Sequence, residues 1–175
     1  HEGTKRGEEF VTRKITKGVA RIKHHLDTKV SIESFEPIEL GNIYAKRDWS
    51  DSEDFIEGVW LMLNQKEPKD YVLASGETHT IKEFIEKAFD AADIRGGWVE
   101  TDGRPLATTY QMSGEQYKTL VKVNPKFYRP AEVALLHGDS TPAREELGWK
   151  PKVSFDELVS KMVKWDIENE QTHIP

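Results

Sequence analysis

Lys46, Arg47, Asp48 and Trp49 stand in a row behind a Gly41-Asn42 turn, and Ser50-Asp-Ser-Glu53 follows them. Gly and Asn tolerate positive φ and mark a turn after an extended run. Ser-x-x-Glu is a capping-box pattern and signals a helix start. The spacing therefore predicts two cations and an indole in a strand-to-helix loop. A guanidinium there can hold a diphosphate through two parallel hydrogen bonds. The same spacing also describes a solvated loop with a tryptophan packed beneath it. A second cluster, Lys126-Phe-Tyr-Arg-Pro-Ala-Glu-Val133, offers an aromatic pair, an arginine and a carboxylate within a few residues. Lys14 lies close to a helix start, within reach of a cleft. His24-His25 is read as a surface pair rather than a metal site, because a helix turns adjacent residues to different faces.

The elements that must position these groups follow from periodicity. Val11, Ile15, Gly18/Val19, Ile22 and Leu26 recur at three and four, the stripe of a helix with one buried side. Arg13, Lys14, Lys17 and Arg21 fall off that stripe and read as a wet face. Val30 to Ser34 alternates like a half-buried strand, and Ile38 to Leu40 is again extended. Phe55, Ile56, Val59, Met62 and Leu63 share a face of the next helix, with Trp60 flanking it. Tyr71 to Ser75 reads as a buried strand that could be parallel. Thr80-Ile-Lys-Glu83 is a second capping box, and its helix buries Ile81, Phe84, Ile85, Ala88, Phe89 and Ala92 before stopping at Gly96-Gly97. Trp98-Val99 is a candidate strand start, Thr101 to Gln116 reads as a long surface loop, and Thr119 to Val123 as a strand ended by Asn124-Pro125. Thr141 and Pro142 open a short helix stopped by Gly148. A third capping box, Ser154-Phe-Asp-Glu157, starts a last helix burying Phe155, Leu158, Val159, Met162 and Val163. Strands and helices alternate, which argues an α/β fold.

The chain has 175 residues, the size of one ordinary domain. Lys and Arg total 25 and Asp and Glu total 31, a net charge of −6, which disfavours non-specific nucleic-acid binding. No cysteine is present, so disulfides and thiolate metal sites are excluded. No apolar run approaches the roughly 18 residues of a membrane span, and no leader peptide is visible. A chain opening on His1 is expected to be a piece of a longer one.

The residues taken together resemble the GDP-mannose 4,6-dehydratase family of extended short-chain dehydrogenases/reductases, over its C-terminal half. The likeness is carried by His1-Glu2, Arg6-Gly7, Phe10-Val-Thr-Arg-Lys-Ile15, Leu40-Gly-Asn42, Ala45-Lys-Arg-Asp-Trp49, Trp60-Leu-Met-Leu63 and Ser75-Gly-Glu77. It continues through Phe127-Tyr-Arg-Pro130, Glu132-Val133, His137-Gly-Asp139, Leu147-Gly-Trp-Lys-Pro151 and Phe155-Asp-Glu-Leu158. Ala-Lys-Arg-Asp-Trp and Tyr-Arg-Pro-x-Glu-Val are the more particular motifs. Gly3-Thr-Lys-Arg-Gly7 departs from the usual Ser-Pro-Arg-Arg-Gly, with Lys5 in place of the first arginine. His24 to Glu36 is longer than the usual connection, and Thr101 to Gln116 matches weakly.

The resemblance implies residues 1–175 to be last elements of a Rossmann fold interleaved with a mixed α/β substrate-binding domain. It implies conversion of GDP-mannose to GDP-4-keto-6-deoxymannose with NADP as cofactor, in a cytoplasmic homo-oligomer. It places His1 and Arg6 beside NADP, Val11 and Lys14 beside the nucleotide sugar, Arg47 and Arg129 on GDP-mannose at the diphosphate, and Glu132 near the nucleotide end. Val11 also fits plain core, and Glu132 also fits an ion pair with Arg129. No glycine-rich strand-turn-helix motif occurs, and the residues four after Tyr44, Tyr71, Tyr110, Tyr117 and Tyr128 are Asp48, Ser75, Gly114, Val121 and Glu132, never Lys. In the family those motifs hold the cofactor pyrophosphate and supply the general base. The chain alone is thus expected to bind rather than to catalyse, with no catalytic or metal residue, and to need an N-terminal Rossmann portion as partner. The competing reading is a non-catalytic GDP-sugar-binding or assembly module.

Overall fold

The computed structural model describes residues 1–28, 35–100, 107–114, 118–129 and 133–170. Three long helices, α1 (Val11–Asp27), α3 (Ile81–Ala91) and α5 (Phe155–Glu170), pack together on a four-stranded sheet. The strands are β1 (Ile38–Leu40), β4 (Gly96–Val99), β5 (Thr109–Met112) and β6 (Thr119–Val123), in the order β1-β6-β5-β4. β1 runs parallel to β6, and the other pairs are antiparallel. A small antiparallel ribbon joins β2 (Lys46–Arg47) to β3 (His79–Thr80). Helices α2 (Ser52–Leu63) and α4 (Thr141–Leu147) lie together, beside the segment 71–75.

The core forms where the stripes meet. Ile15, Val19 and Ile22 of α1, Phe84, Ile85 and Phe89 of α3, and Leu158, Val159, Met162 and Val163 of α5 are all buried against Leu120 and Val121 of β6. Trp49 is buried, stacked on Phe155 at 5.9 Å between centroids and edge-on to Phe84 at 5.2 Å. The boxes at Thr80–Glu83 and Ser154–Glu157 both close, each satisfying helix-end N–H groups. Gly148 ends α4 at φ +66, a conformation that side-chain-bearing residues avoid.

Several expectations are corrected. The cap of α2 is Asp51, which accepts from Glu53 N at 2.8 Å, and not Ser50, whose hydroxyl is buried. Helix α3 ends at Ala91 rather than at the glycines, because Asp93 takes positive φ and Gly96-Gly97 open β4. Within the expected loop Thr101 to Gln116, Thr109–Met112 forms β5, since Tyr110 is driven inward to stack on Phe89 at 5.0 Å. Tyr71 to Ser75 forms no strand and joins no ladder among the described residues. Gly138 and Ser140 lie against it, but through side-chain contacts rather than a backbone ladder. The apolar row of α2 faces outward. The expected strand Val30 to Ser34 lies outside the described residues.

Arg13 and Asp166 pair between α1 and α5, with their side chains only 11% and 2% exposed. Thr16 donates to the Arg13 carbonyl at 3.3 Å, and burial pushes Asp166 above the usual carboxylate range. Removing one partner of a buried pair strands the other charge in a low-dielectric site. Asp166→Ala is expected to lower stability by about 3–5 kcal/mol, whereas the double change Arg13→Met, Asp166→Leu is expected to recover most of that loss. Chemical denaturation of the four members of the cycle measures both.

Candidate functional site

The Lys46-Arg47-Asp48-Trp49 run separates by side. Trp49 goes into the core and Lys46 is exposed. Asp48 turns to the chain that follows α2 and accepts from Ser75 N at 2.9 Å, Ser75 Oγ at 2.5 Å and Gly76 N at 2.9 Å. Arg47 is half-exposed, and its Nη1 donates to the carbonyls of Lys46 at 2.7 Å and Val133 at 2.8 Å. Residues 134–136 run beside Lys46, with Lys46 N donating to Ala134 O at 2.8 Å and Leu136 N to Lys46 O at 3.2 Å. The two cations thus sit on a short strand rather than in a loop, and the strand holds the chain just beyond the Phe-Tyr-Arg-Pro stretch.

That stretch is reached a second way. Gly41, at the end of β1, touches the single-turn helix Pro125–Phe127 so closely that a Cβ would collide with the Phe127 carbonyl. Asn124 caps the turn, and its amide also donates to Glu39 at 2.6 Å. The exposed ring of Phe127 lies beneath Lys14 Nζ, 4.0 Å from its centroid, a cation–π contact between α1 and the turn. Arg129 follows two residues later and is exposed. Lys14 is half-buried and makes no ion pair among the described residues, because nearby Glu39 is committed to Lys122 at 2.7 Å. Burial holds the Lys14 ammonium below the usual lysine value of 10.5, against the pull of Glu39. A cation partly stripped of water and lacking a carboxylate is a ready counterion for an anionic ligand.

Val11, one turn before Lys14, is half-buried and packs against the core, so both of its readings are compatible with its place. Lys14 is seated on Phe127, with Arg129 two residues further along the chain, and Arg47 is tied separately to Val133. Glu132 lies outside the described residues. Sequence reasoning missed Asp48 as a clamp and Phe127 as the seat of Lys14. The glycine at 41 was the available signal for a close approach.

His1 and Arg6 occupy a different place. They line a cavity of about 220 Å³ together with Glu2, Gly3, Lys5, Gly7 and Ser52. Glu2 is tied to the start of α2, its N donating to Ser50 O at 2.8 Å and its O accepting from Ser52 N at 2.7 Å. Its buried carboxyl accepts from Thr12 at 2.6 Å, and burial pushes it above the usual range. Arg6 lies over Phe10 and 3.3 Å from Glu2, yet its buried Nε has no well-directed acceptor. Lys5 rests over Trp165, 4.4 Å from the ring centroid. An orphaned donor among an imidazole and two cations fits an anionic or hydroxyl-bearing edge of a dinucleotide. The cavity is smaller than the roughly 300–1,000 Å³ of a whole ligand pocket, so it has room for an edge only. No group of three or more metal-ligating side chains occurs among the described residues.

A mixed parallel and antiparallel sheet under three helices is the arrangement of solved Rossmann-type proteins. The Pseudomonas aeruginosa protein RMD, solved with NADPH, superposes at a TM-score of 0.68 and 18% identity, covering 95% of this chain and 45% of that one. UDP-glucose 4-epimerase of Thermotoga maritima, solved with UDP-glucose, gives 0.68 and 18%, covering 97% and 44%. These likenesses establish the fold. The family described as GDP-mannose 4,6 dehydratase matches residues 1–162, and the chain belongs to that family. The GDP-mannose 4,6 dehydratase of Drosophila melanogaster is 46% identical over 96% of this chain, and that of Homo sapiens 41% identical over 99%. The chain spans 40% and 43% of the length of those two relatives.

Gly41→Ala tests the cleft. The Phe127 backbone must retreat from the added methyl, an overpacking that costs about 1–3 kcal/mol. Thermal melting is expected to show that loss, and the Lys14–Phe127 contact is expected to open, read by the chemical shift of the lysine ε-methylene.

Proposed function

We propose that this chain is the GDP-sugar-binding portion of an NADP-dependent GDP-mannose 4,6-dehydratase, complete only when joined to a Rossmann portion. The observation that carries the reading is Lys14: a half-buried ammonium, seated on Phe127, with no ion-pair partner among the described residues. A diphosphate laid across the cleft supplies the missing charge. Arg129 on the same loop and Arg47, tied to Val133, would add further phosphate contacts. Val11 flanks the sugar side, and Glu132 belongs to the nucleotide end by family likeness. His1 and Arg6 would hold an edge of NADP, which, when bound, accepts a hydride and returns it. The names of the relatives support the substrate, and a homo-oligomeric, cytoplasmic enzyme rests on that likeness alone.

The test uses a chimera in which this chain replaces the matching stretch of the Drosophila melanogaster relative. The chimera is expected to form 4-keto product from GDP-mannose and NADP, and the 175-residue chain none, since it holds no Tyr-x-x-x-Lys pair. A charge-assisted bond contributes roughly 1.5–3 kcal/mol. Lys14→Ala and Arg47→Ala are each expected to weaken GDP binding by about one to two powers of ten on that basis, with NADP binding unchanged. Arg47→Lys should recover part of the loss, because an ammonium replaces a fork with a point charge. Unchanged GDP affinity in Lys14→Ala would sink the reading.

The pH dependence has a definite sign. Lys14 must be protonated to hold the ligand, and burial places its pKa in the free protein below 10.5. GDP affinity is therefore fully present below that pKa and falls as pH rises through it. Lys14→Arg keeps its charge and should flatten the part of the fall that Lys14 causes.

A further inference from the structure

Residues 133–136 are held by hydrogen bonds rather than by burial. Val133, Leu135 and Leu136 are 53%, 53% and 50% exposed, so little apolar contact fixes where the segment lies. It runs parallel to β2 through an isolated bridge, with Lys46 N donating to Ala134 O at 2.8 Å and Leu136 N to Lys46 O at 3.2 Å. The same stretch supplies the Val133 carbonyl, which accepts from Arg47 Nη1 at 2.8 Å. The place of the guanidinium is therefore bound to the place of an unburied piece of chain. Segments with few buried contacts shift at small cost, and each bond that holds this one counts toward its position.

A further fastening closes the arrangement into a ring. His137 Nε2 lies 3.1 Å from Gly76 O. A carbonyl only accepts, so Nε2 donates, as it does in both the neutral Nε2–H form and the imidazolium. Gly76 is gripped from its other side too, its N donating to Asp48 at 2.9 Å. Asp48 stands two residues from Lys46 on one stretch of backbone. The ring runs from Lys46 through Asp48, Gly76 and His137 to Leu136 and back to Lys46, with Arg47 between its first two members. Gly138 permits the close approach, since a Cβ there would stand 2.3 Å from Ala74 Cβ. Beyond it, buried Ser140 donates to Ala74 O at 3.0 Å.

We infer that His137 is a positioning residue for Arg47: its bond to Gly76 sets the tilt of residues 133–136, and so the place at which the Val133 carbonyl holds the guanidinium. Without that bond the segment keeps its two backbone bonds to Lys46 and pivots about them. Val133 lies at the end that swings, and Arg47 must follow it or let go. The inference rests on the proposed function for the ligand that Arg47 meets. His137 acts through Arg47 and takes no part in the chemistry.

The experiment uses the chimera described above and measures GDP affinity by calorimetry, together with hydrogen exchange at the Lys46 and Leu136 amides. A neutral hydrogen bond corresponds to a factor of about two to ten. His137→Ala is expected to weaken GDP binding by that factor and to speed exchange at Leu136, with NADP affinity unchanged. His137→Gln is expected to restore both, because its amide carries an N–H at about the reach of Nε2. In the Arg47→Ala background, His137→Ala is expected to cost no further GDP affinity, the sign of a residue that acts through another. A histidine with a merely structural role would add its loss to that of Arg47→Ala, and that outcome overturns the inference. GDP affinity unchanged in His137→Ala but weakened in Arg47→Ala also overturns it, and leaves the functional reading intact. Faster exchange at Leu136 in His137→Ala, with GDP affinity indifferent to both Arg47→Ala and Lys14→Ala, would uphold the placement of Arg47 and overturn the functional reading.

Discussion

The carboxylate of Asp48 is the fixed point of the candidate site. Its three hydrogen bonds to Ser75 and Gly76 join β2 to the chain that leaves residues 71–75. Charge-assisted bonds are the stronger class, and three on one carboxylate leave little rotational freedom. With Asp48 held, Trp49 is delivered into the Phe84–Phe155 cluster on one side. Arg47 is delivered toward Val133 on the other. The ribbon with β3 then sets Thr80 at the start of α3, where its capping box closes. Consecutive residues of unlike chemistry thus fasten the core, the chain at Val133 and the chain at Ser75 to a common frame.

Much of this was legible because stripes and caps are local. The rows in α1, α3 and α5 are buried as their spacing required, and two of three capping boxes close. The third slipped by one residue, since Asp51 competes with Ser50 for the same turn and its carboxylate wins the N–H of Glu53. β5 was hidden because its four residues include one inward aromatic, Tyr110, too short a signal to count as alternation. The run 71–75 carried strand character without a partner, and pairing is not a local property.

The site was legible unevenly. Types and family likeness pointed to His1, Arg6, Lys14, Arg47 and Arg129, and the fold brings Lys14 and the Phe127–Arg129 loop together while setting His1 and Arg6 apart in their own cavity. What spacing could not reveal was which cations are already matched. Arg13 is matched to Asp166, and Lys122 to Glu39. Lys14 stands out only by that tally of partners, which depends on residues distant in the chain.

The parallel pairing of β1 with β6 also governs when the cleft can exist. Glu39 and Asn124, bonded across its base, are 85 residues apart. Closing so long a loop costs entropy before any contact repays it, and parallel pairing of distant segments is slow. The α1–α3–α5 helices gain much of their burial from one another. Gly41 meets Phe127 only once the two strands are in register. The seat of Lys14 is therefore assembled late in folding, and it belongs to the part of the protein that opens when the sheet loses its outer strand.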